Sequence, residues 1–233
     1  LSTITVIVPT LNEADNVDFL LDKILGVRQS FNLKFDILFV DSASTDGTGD
    51  RVLEWQKKGP VHLLQLDENI GLAGAVIAGA NYTDSTFVLV IDADLSHPPA
   101  QIPNLLEPLV EGTHDMVIGS RYVKGGSTPD WPILRKLSSR IATLPALFFC
   151  EVKDPLAGFF GVERRKLTEL SDSVPGFKIG LAILAQYGTS IRVTEIPIEF
   201  RDRDYGESKM NYRVAFDYLK QLFSLAFKQG RSN

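Results

Sequence analysis

Cysteine is nearly absent: Cys150 stands alone in 233 residues. No disulfide can form within the chain, no Cys/His cluster has zinc spacing, and a reducing compartment is the expectation. Long apolar runs are missing as well. None approaches the ~20 residues that cross a bilayer, and no signal-peptide layout opens the chain. Basic residues are the minority, 24 Lys and Arg against 29 Asp and Glu, and the net charge of −5 argues against general nucleic-acid binding. The first residue is Leu1 rather than methionine, which suggests a trimmed fragment and leaves a lost flanking segment open. There is no internal repeat and no low-complexity tract. A chain of this length buries roughly 70–75% of its unfolded surface, enough for a core without covalent or metal staples.

What is present is an alternation of strands and helices. Thr5–Val8 is a β-branched run closed by Pro9, after which Val17, Leu20, Leu21, Ile24 and Leu25 recur at helical spacing. Ile37–Val40 reads as a second strand ending at Asp41. Ser44–Thr48 reads as a turn with capping residues, and a helix follows through Trp55. Further strands are expected at Val61–Leu66, Phe87–Ile91 and Met116–Gly119. Between them fall a small-residue helix at Gly71–Ala80, able to pack closely on a sheet, and a helix at Ile102–Val110. Such spacing predicts crossover units and an α/β fold with a mainly parallel sheet flanked by helices. The second half predicts a loop at 125–132, a helix over Ile133–Phe149, strands at Leu156–Val162 and Ile191–Ile198, and a helix at Phe177–Tyr187. A charged loop at 199–211 and an amphipathic helix at Tyr212–Lys228 complete it.

The strand ends carry the chemistry. The first yields Pro9-Thr10-Leu11-Asn12-Glu13, the second Asp41-Ser42 and the fourth Asp92-Ala93-Asp94. In a parallel sheet these ends share one edge, where open α/β sheets bind their ligands. Asp92 and Asp94 repel one another unless a cation lies between them. A hard divalent ion suits such a pair and neutralises a diphosphate. The chemistry these strand ends point to is a metal-dependent enzyme acting on a nucleotide-activated substrate.

Other groups read two ways. Arg135, Lys136 and Arg140 share a helix behind an Asp130-Trp131-Pro132 loop, and form either a solvated basic face or an anion site. Arg201 to Lys209 is either a tangle of surface ion pairs or, hinged at Gly206, a loop able to close over phosphates. His97 precedes Pro98 and reads as a turn residue, while His62 and His114 read as structural or solvent-facing. Asp154, before Pro155, reads as a turn cap or as a general base. The last helix either docks on the core or rests on a membrane surface.

Taken together, Pro9 to Glu13, Asp41 to Thr48 and Asp92-Ala93-Asp94 resemble a family 2 glycosyltransferase with the GT-A fold. Within that family, Asp92 to Pro99, Gly119-Ser120-Arg121-Tyr122, Trp131 to Arg140 and Asp204 to Lys209 resemble the dolichyl- and polyprenyl-phosphate mannosyltransferases. The resemblance covers nearly the whole chain. It implies that Pro9, Leu11, Asn12 and Glu13 border the nucleotide, that Asp41 or Ser42 reaches the base, and that Asp92 and Ala93 line the nucleoside. It implies Mg2+ or Mn2+ on Asp94 and Ser96, phosphates on Arg121, Arg203 and Lys209, and the lipid phosphate on Arg135 and Ser139, beside Arg121. Leu11 stands where an aromatic residue is common, and Ser42 where a second aspartate is common, so the base is the least defined part.

The implied reaction is an inverting transfer of a sugar, mannose from GDP-mannose, to a polyprenyl or dolichyl phosphate. Guanidinium groups fork onto phosphate oxygens and Lys209 adds a mobile point charge. A phosphate acceptor is already an anion and attacks without a strong base, whereas a hydroxyl acceptor needs one, for which Asp154 is the candidate. The rivals are a glucosyltransferase using UDP-glucose, the same fold acting on a sugar hydroxyl, and a nucleotide-binding regulatory module. The expected organisation is a GT-A domain over 1–211, with a nucleotide-sugar half (1–120) and an acceptor half (121–211), and a C-terminal amphipathic helix at 212–233. The expected location is the cytoplasmic face of a membrane, held peripherally or through an anchoring subunit.

Overall fold

The computed structural model describes residues 3–170, 178–202 and 218–225. Among them seven strands form one sheet: β1 (Ile4–Thr10), β2 (Asp36–Asp41), β3 (Val61–Gln65), β4 (Phe87–Val90), β5 (Met116–Ser120), β6 (Phe160–Glu163) and β7 (Val193–Pro197). Their order is β3-β2-β1-β4-β6-β5-β7. All run in one direction except β6, which pairs antiparallel with both β4 and β5.

The helices are α1 (Ala14–Ser30), α2 (Thr48–Gln56), α3 (Gly71–Tyr82), α4 (Ile102–Val110), α5 (Ile133–Thr143), α6 (Arg164–Thr168) and α7 (Ile179–Tyr187). They cover both faces of the sheet, which is why the central strands are apolar on both sides. Val6 and Val8 of β1 face a core made with Val17, Leu20 and Ile24 of α1, Val52 of α2 and Leu105 of α4. Ile7, between them, faces the opposite core with Val76 and Ala80 of α3 and Ile183 of α7. Each such buried side chain contributes about 1.5–3 kcal/mol. Gly79 lets α3 approach closely: a Cβ there would lie 2.9 Å from Val40 Cγ2 and 3.1 Å from Ile7 Cγ2.

Four departures from the sequence expectation have physical causes or limits. The helix expected over Ile133–Phe149 ends at Thr143 and gives way to a 3-10 turn at Leu144–Phe148, because Pro145 lacks the N–H that an α-helix requires. The strand expected from Leu156 begins only at Phe160; Pro155 and Gly158 suit a turn, closed by Ala157 N–H donating to Asp154 O at 3.2 Å. The helix expected from Phe177 starts at Ile179, and Phe177 lies outside the described residues. Of the final helix, 218–225 is described and helical. It docks through Tyr218, Leu222 and Leu225 against Ala146, Leu156 and Leu181, while Leu219 and Phe223 face outward.

The reversal of β6 positions the site. Its leading end lies at the same edge as the trailing ends of β4 and β5, so the Asp154–Phe159 turn joins the strand-end loops there.

Candidate active site

At the β1–β2 side the edge is a closed hydrogen-bond lattice. Asp41 is fully buried. Its Oδ1 accepts from Thr10 Oγ1 (3.2 Å) and Ser44 Oγ, and its Oδ2 from Gln65 Nε2 (2.8 Å) and Ser44 N–H (3.2 Å). The residue expected at the base therefore ties three strand ends together with both oxygens. Buried Ser42 extends the pairing by donating its N–H to Thr10 O at 2.9 Å. Asn12 adopts a left-handed φ of 55°, which Asn tolerates better than most residues. Its N–H donates to Ser44 Oγ (2.8 Å) and its Oδ1 accepts from Thr45 N–H (3.0 Å). Asp46 accepts from Thr48 and from Ala14 N–H. Partial burial works against its charge, but these hydrogen bonds prevail and hold its pKa below the ordinary carboxylate value. Glu13 is fixed by Asn16 Nδ2 donating to its Oε2 at 2.7 Å. Pro9 is buried, and Leu11 is partly open.

Beyond β4 the chain turns sharply through Asp92-Ala93-Asp94-Leu95-Ser96-His97. Leu95 takes φ 63°, a region costly for a residue with a Cβ. Asp94 is 6% exposed, and its Oδ1 accepts from Ser96 N–H at 3.1 Å. Ser96 Oγ is buried with no hydrogen-bond partner among the described residues, an arrangement that costs about 1–3 kcal/mol unless a ligand meets it. His97 Nδ1 accepts the N–H of Asp92 at 3.3 Å. Burial lowers the pKa of His97, against the pull of Asp92 and Asp94, in keeping with a neutral ring whose Nδ1 is an acceptor. The ring stacks on Phe159 (centroids 5.2 Å apart) and meets Phe200 edge-on at 5.3 Å.

No group of three or more His, Cys, Asp or Glu side chains suited to a metal occurs among the described residues. Asp94 with Ser96 instead offers one carboxylate and one hydroxyl. That donor set fits a Mg2+- or Mn2+-like ion, which takes one or two carboxylates and leaves its other positions to water and substrate phosphates.

After β5 comes Arg121. Its N–H and Nε donate to Asp154 Oδ2 (2.9 and 2.8 Å), and Nη2 donates to Asp154 Oδ1 at 2.7 Å. Asp154 is fully buried. Burial disfavours the guanidinium, but the hydrogen bonds and charge of Asp154 outweigh it and raise its pKa. With both oxygens engaged, Asp154 anchors Arg121 and is not a base open to an acceptor hydroxyl. Arg121 also lies over Tyr122, Trp131 and Phe200, 5.1–5.6 Å from the ring centroids. Arg135 stacks on Trp131 at 4.3 Å. Ser139, one turn along α5, shares a 2.7 Å hydrogen bond with Tyr122 OH.

Lys178 carries no signal that the sequence reading used. Its Nζ donates to Leu156 O at 2.9 Å. Burial, then Arg121, push its pKa down to about 8 against the pull of Asp92 and Asp154, so it shares the electrostatic environment of the site. The available hint was one lysine opening the otherwise apolar run Ile179–Ala185. Arg203 and Lys209 lie outside the described residues.

The model of the family described as Glycosyl transferase family 2 matches residues 5–177. The chain belongs to glycosyl transferase family 2. Among its relatives is a dolichol-phosphate mannosyltransferase of Pyrococcus furiosus, 37% identical over 97% of this chain and 64% of that protein; the chain thus spans just under two thirds of that relative. A dolichol-phosphate mannosyltransferase of Saccharomyces cerevisiae is 33% identical over 98% of this chain and 89% of its own length. An undecaprenyl-phosphate mannosyltransferase of Micrococcus luteus is 35% identical over 88% and 86%. Crystal structures of glucosyl-3-phosphoglycerate synthase from Mycobacterium tuberculosis share the fold. One, in complex with Mn2+, UDP-glucose and phosphoglyceric acid, aligns with TM-score 0.71 at 18% identity over 97% of this chain and 79% of that one. This family 2 member is accordingly a single GT-A-like domain with its seven-stranded sheet at the centre.

Proposed function

We propose that this family 2 glycosyltransferase moves a hexose, mannose, from a nucleoside-diphosphate donor to the phosphate of a polyprenyl carrier, with inversion at the anomeric carbon. The observation that carries the acceptor reading lies on α5. Arg135 and Ser139 stand one turn apart on a helix whose outer side chains are apolar and open: Ile133 is 84% exposed, Leu134 77%, and Phe148 just beyond it 88%. No acidic residue occurs from Ile133 to Cys150, while Arg135, Lys136 and Arg140 do. An anion-binding pair on an apolar, basic helix suits a phosphate that is carried on a lipid. It also suits peripheral attachment at the cytoplasmic face of an anionic membrane. No helix among the described residues is long and apolar enough to cross one.

On the donor side, Asp94 and Ser96 would hold Mg2+ or Mn2+. When bound, such an ion neutralises charge on the departing diphosphate. Pro9, Leu11, Asn12, Glu13, Ser42, Asp92 and Ala93 border the nucleoside, and Asp41 acts through the lattice that holds them. Arg121 and Lys178, both within electrostatic reach of Asp92, supply positive charge, joined by Arg203 and Lys209 through the family resemblance. The 1–120 segment serves the donor nucleoside and cation, while 121–211 carries the acceptor residues together with these phosphate-facing cations. The acceptor phosphate is already ionised, so no base is needed, and the engagement of Asp154 by Arg121 agrees with that.

The test is direct. The protein is incubated with GDP-mannose, UDP-glucose and related donors, Mn2+ or Mg2+, and both a polyprenyl phosphate and soluble oligosaccharides, and the products are separated into lipid and aqueous phases. The expected result is label in the lipid phase from GDP-mannose. Label only in a soluble oligosaccharide acceptor would overturn the lipid-phosphate reading, and binding of nucleotide without any product would favour a regulatory module.

A further inference from the structure

We infer that His97 is a positioning residue for the metal corner, holding the Asp92–Ser96 turn in its binding shape through the Asp92 N–H; this rests on the proposed role of Asp94 and Ser96. The β4 strand ends at Val90, and the ladder's last contact to β1 is Ile91 N–H donating to Ile7 O at 3.1 Å. One residue later the backbone leaves the sheet, and the partner of Asp92 N–H is His97 Nδ1. The contact closes a loop from one residue to the fifth beyond it. Within that loop Leu95 holds its left-handed conformation, which needs outside support to persist.

Two side-chain contacts to backbone N–H groups brace the turn: Asp94 Oδ1 with Ser96 N–H, and His97 Nδ1 with Asp92 N–H. The first uses the same carboxylate that a cation would draw on. The second does not, and so it survives metal binding. The ring is itself fixed, buried at 3% exposure between Phe159 and Phe200. Gly158 shapes the remaining wall, since a Cβ there would lie 3.3 Å from both Asp92 Oδ2 and His97 Cε1. The segment before residue 203 is tied to the same turn, because Arg201 N–H donates to Ser96 O at 3.2 Å. An apolar ring at 97 would keep the aromatic face toward Phe159. What it would lack is the acceptor, leaving Asp92 N–H unpaired and the corner free to relax.

Two substitutions separate positioning from packing. His97→Phe keeps an aromatic ring on Phe159 and removes the acceptor. His97→Asn loses the ring but places a carbonyl oxygen near the position of Nδ1. Mn2+ binding is measured by electron paramagnetic resonance, alone and with GDP or UDP, alongside thermal unfolding and nucleotide binding in chelator. Loss of a group that orients a metal ligand costs roughly 10–100-fold in affinity. The expected result is that loss for His97→Phe, with metal-free nucleotide binding unchanged. His97→Asn should keep Mn2+ affinity within about threefold, the less stable fold notwithstanding. Mn2+ affinity that instead follows stability, or is intact in His97→Phe, overturns the inference. Wild-type protein that binds Mn2+ in neither condition overturns the metal reading and this inference with it, whereas a failure confined to the variants leaves the metal reading standing.

Discussion

Arg135 donates through Nη1 to Asp202 Oδ1 at 2.6 Å, so the arginine proposed for the acceptor phosphate already holds an anion. The same oxygen accepts from Trp131 Nε1 at 3.1 Å, which fixes the carboxylate at the mouth of the acceptor side. An incoming lipid phosphate competes with it. Asp202→Asn keeps an acceptor for Trp131 while removing the competing charge. The KM for polyprenyl phosphate should fall about two- to fivefold, the scale of an exposed ion pair of up to about 1 kcal/mol. Arg135→Ala should raise that KM and leave donor affinity unchanged. Equal loss of donor and acceptor affinity in Arg135→Ala would remove the acceptor assignment.

The Arg121–Asp154 pair makes a different prediction, because it is buried and two-pronged. Asp154→Ala should destabilise the fold by about 3–5 kcal/mol, since it strands a guanidinium in the interior. Denaturant titration measures this. If Asp154 were a general base, the variant would lose turnover with stability intact.

Lys178 predicts opposite pH trends for binding and stability. Its pKa is pushed down to about 8, so the positive charge proposed to meet the diphosphate fades as pH rises through that value. Donor affinity of the free enzyme should weaken over that range, and Lys178→Met should abolish the pH dependence. Stability should move the other way. Between about 8 and the ordinary lysine value of 10.5, the unfolded chain binds more protons than the native one, so this residue's contribution to stability rises with pH. Calorimetric titrations and unfolding curves at pH 7, 8 and 9 would show both trends.

The open face of α5 predicts partition onto anionic vesicles. Each apolar side chain withdrawn from water is worth about 1.5–3 kcal/mol, so the double change Ile133→Ser, Leu134→Ser should lower vesicle binding at least about tenfold. Donor binding should be unaffected. Unchanged sedimentation with vesicles would place the membrane contact elsewhere.

Much of this was legible from residue order. β1 and β2 are apolar runs ending in Thr10 and Asp41, β4 is followed directly by Ile91-Asp92, and a parallel sheet brings such ends together. The family resemblance carried the GT-A fold, which the sheet and the family match bear out. What stayed hidden depended on partners distant in sequence. Asp41 looks like a ligand-facing acid until Thr10, Ser44 and Gln65 close on it. Asp154 looks like a base until Arg121 grips it. The true start of β6 was masked because Leu156 to Val162 is apolar throughout, and its direction is written in the pairing rather than in any residue. His97 read as a turn residue because burial between two phenylalanines far along the chain has no local signature.

One backward strand in the middle of the sheet stiffens the turn that leads into it. β6 is clamped by one neighbour on each flank, β4 and β5, so the stretch entering it is held, whereas a loop on an outer rim would be free to drift. Residues placed there inherit the stiffness of the scaffold, which is how Asp154, buried in that stretch, presents both carboxylate oxygens to Arg121 in one fixed orientation.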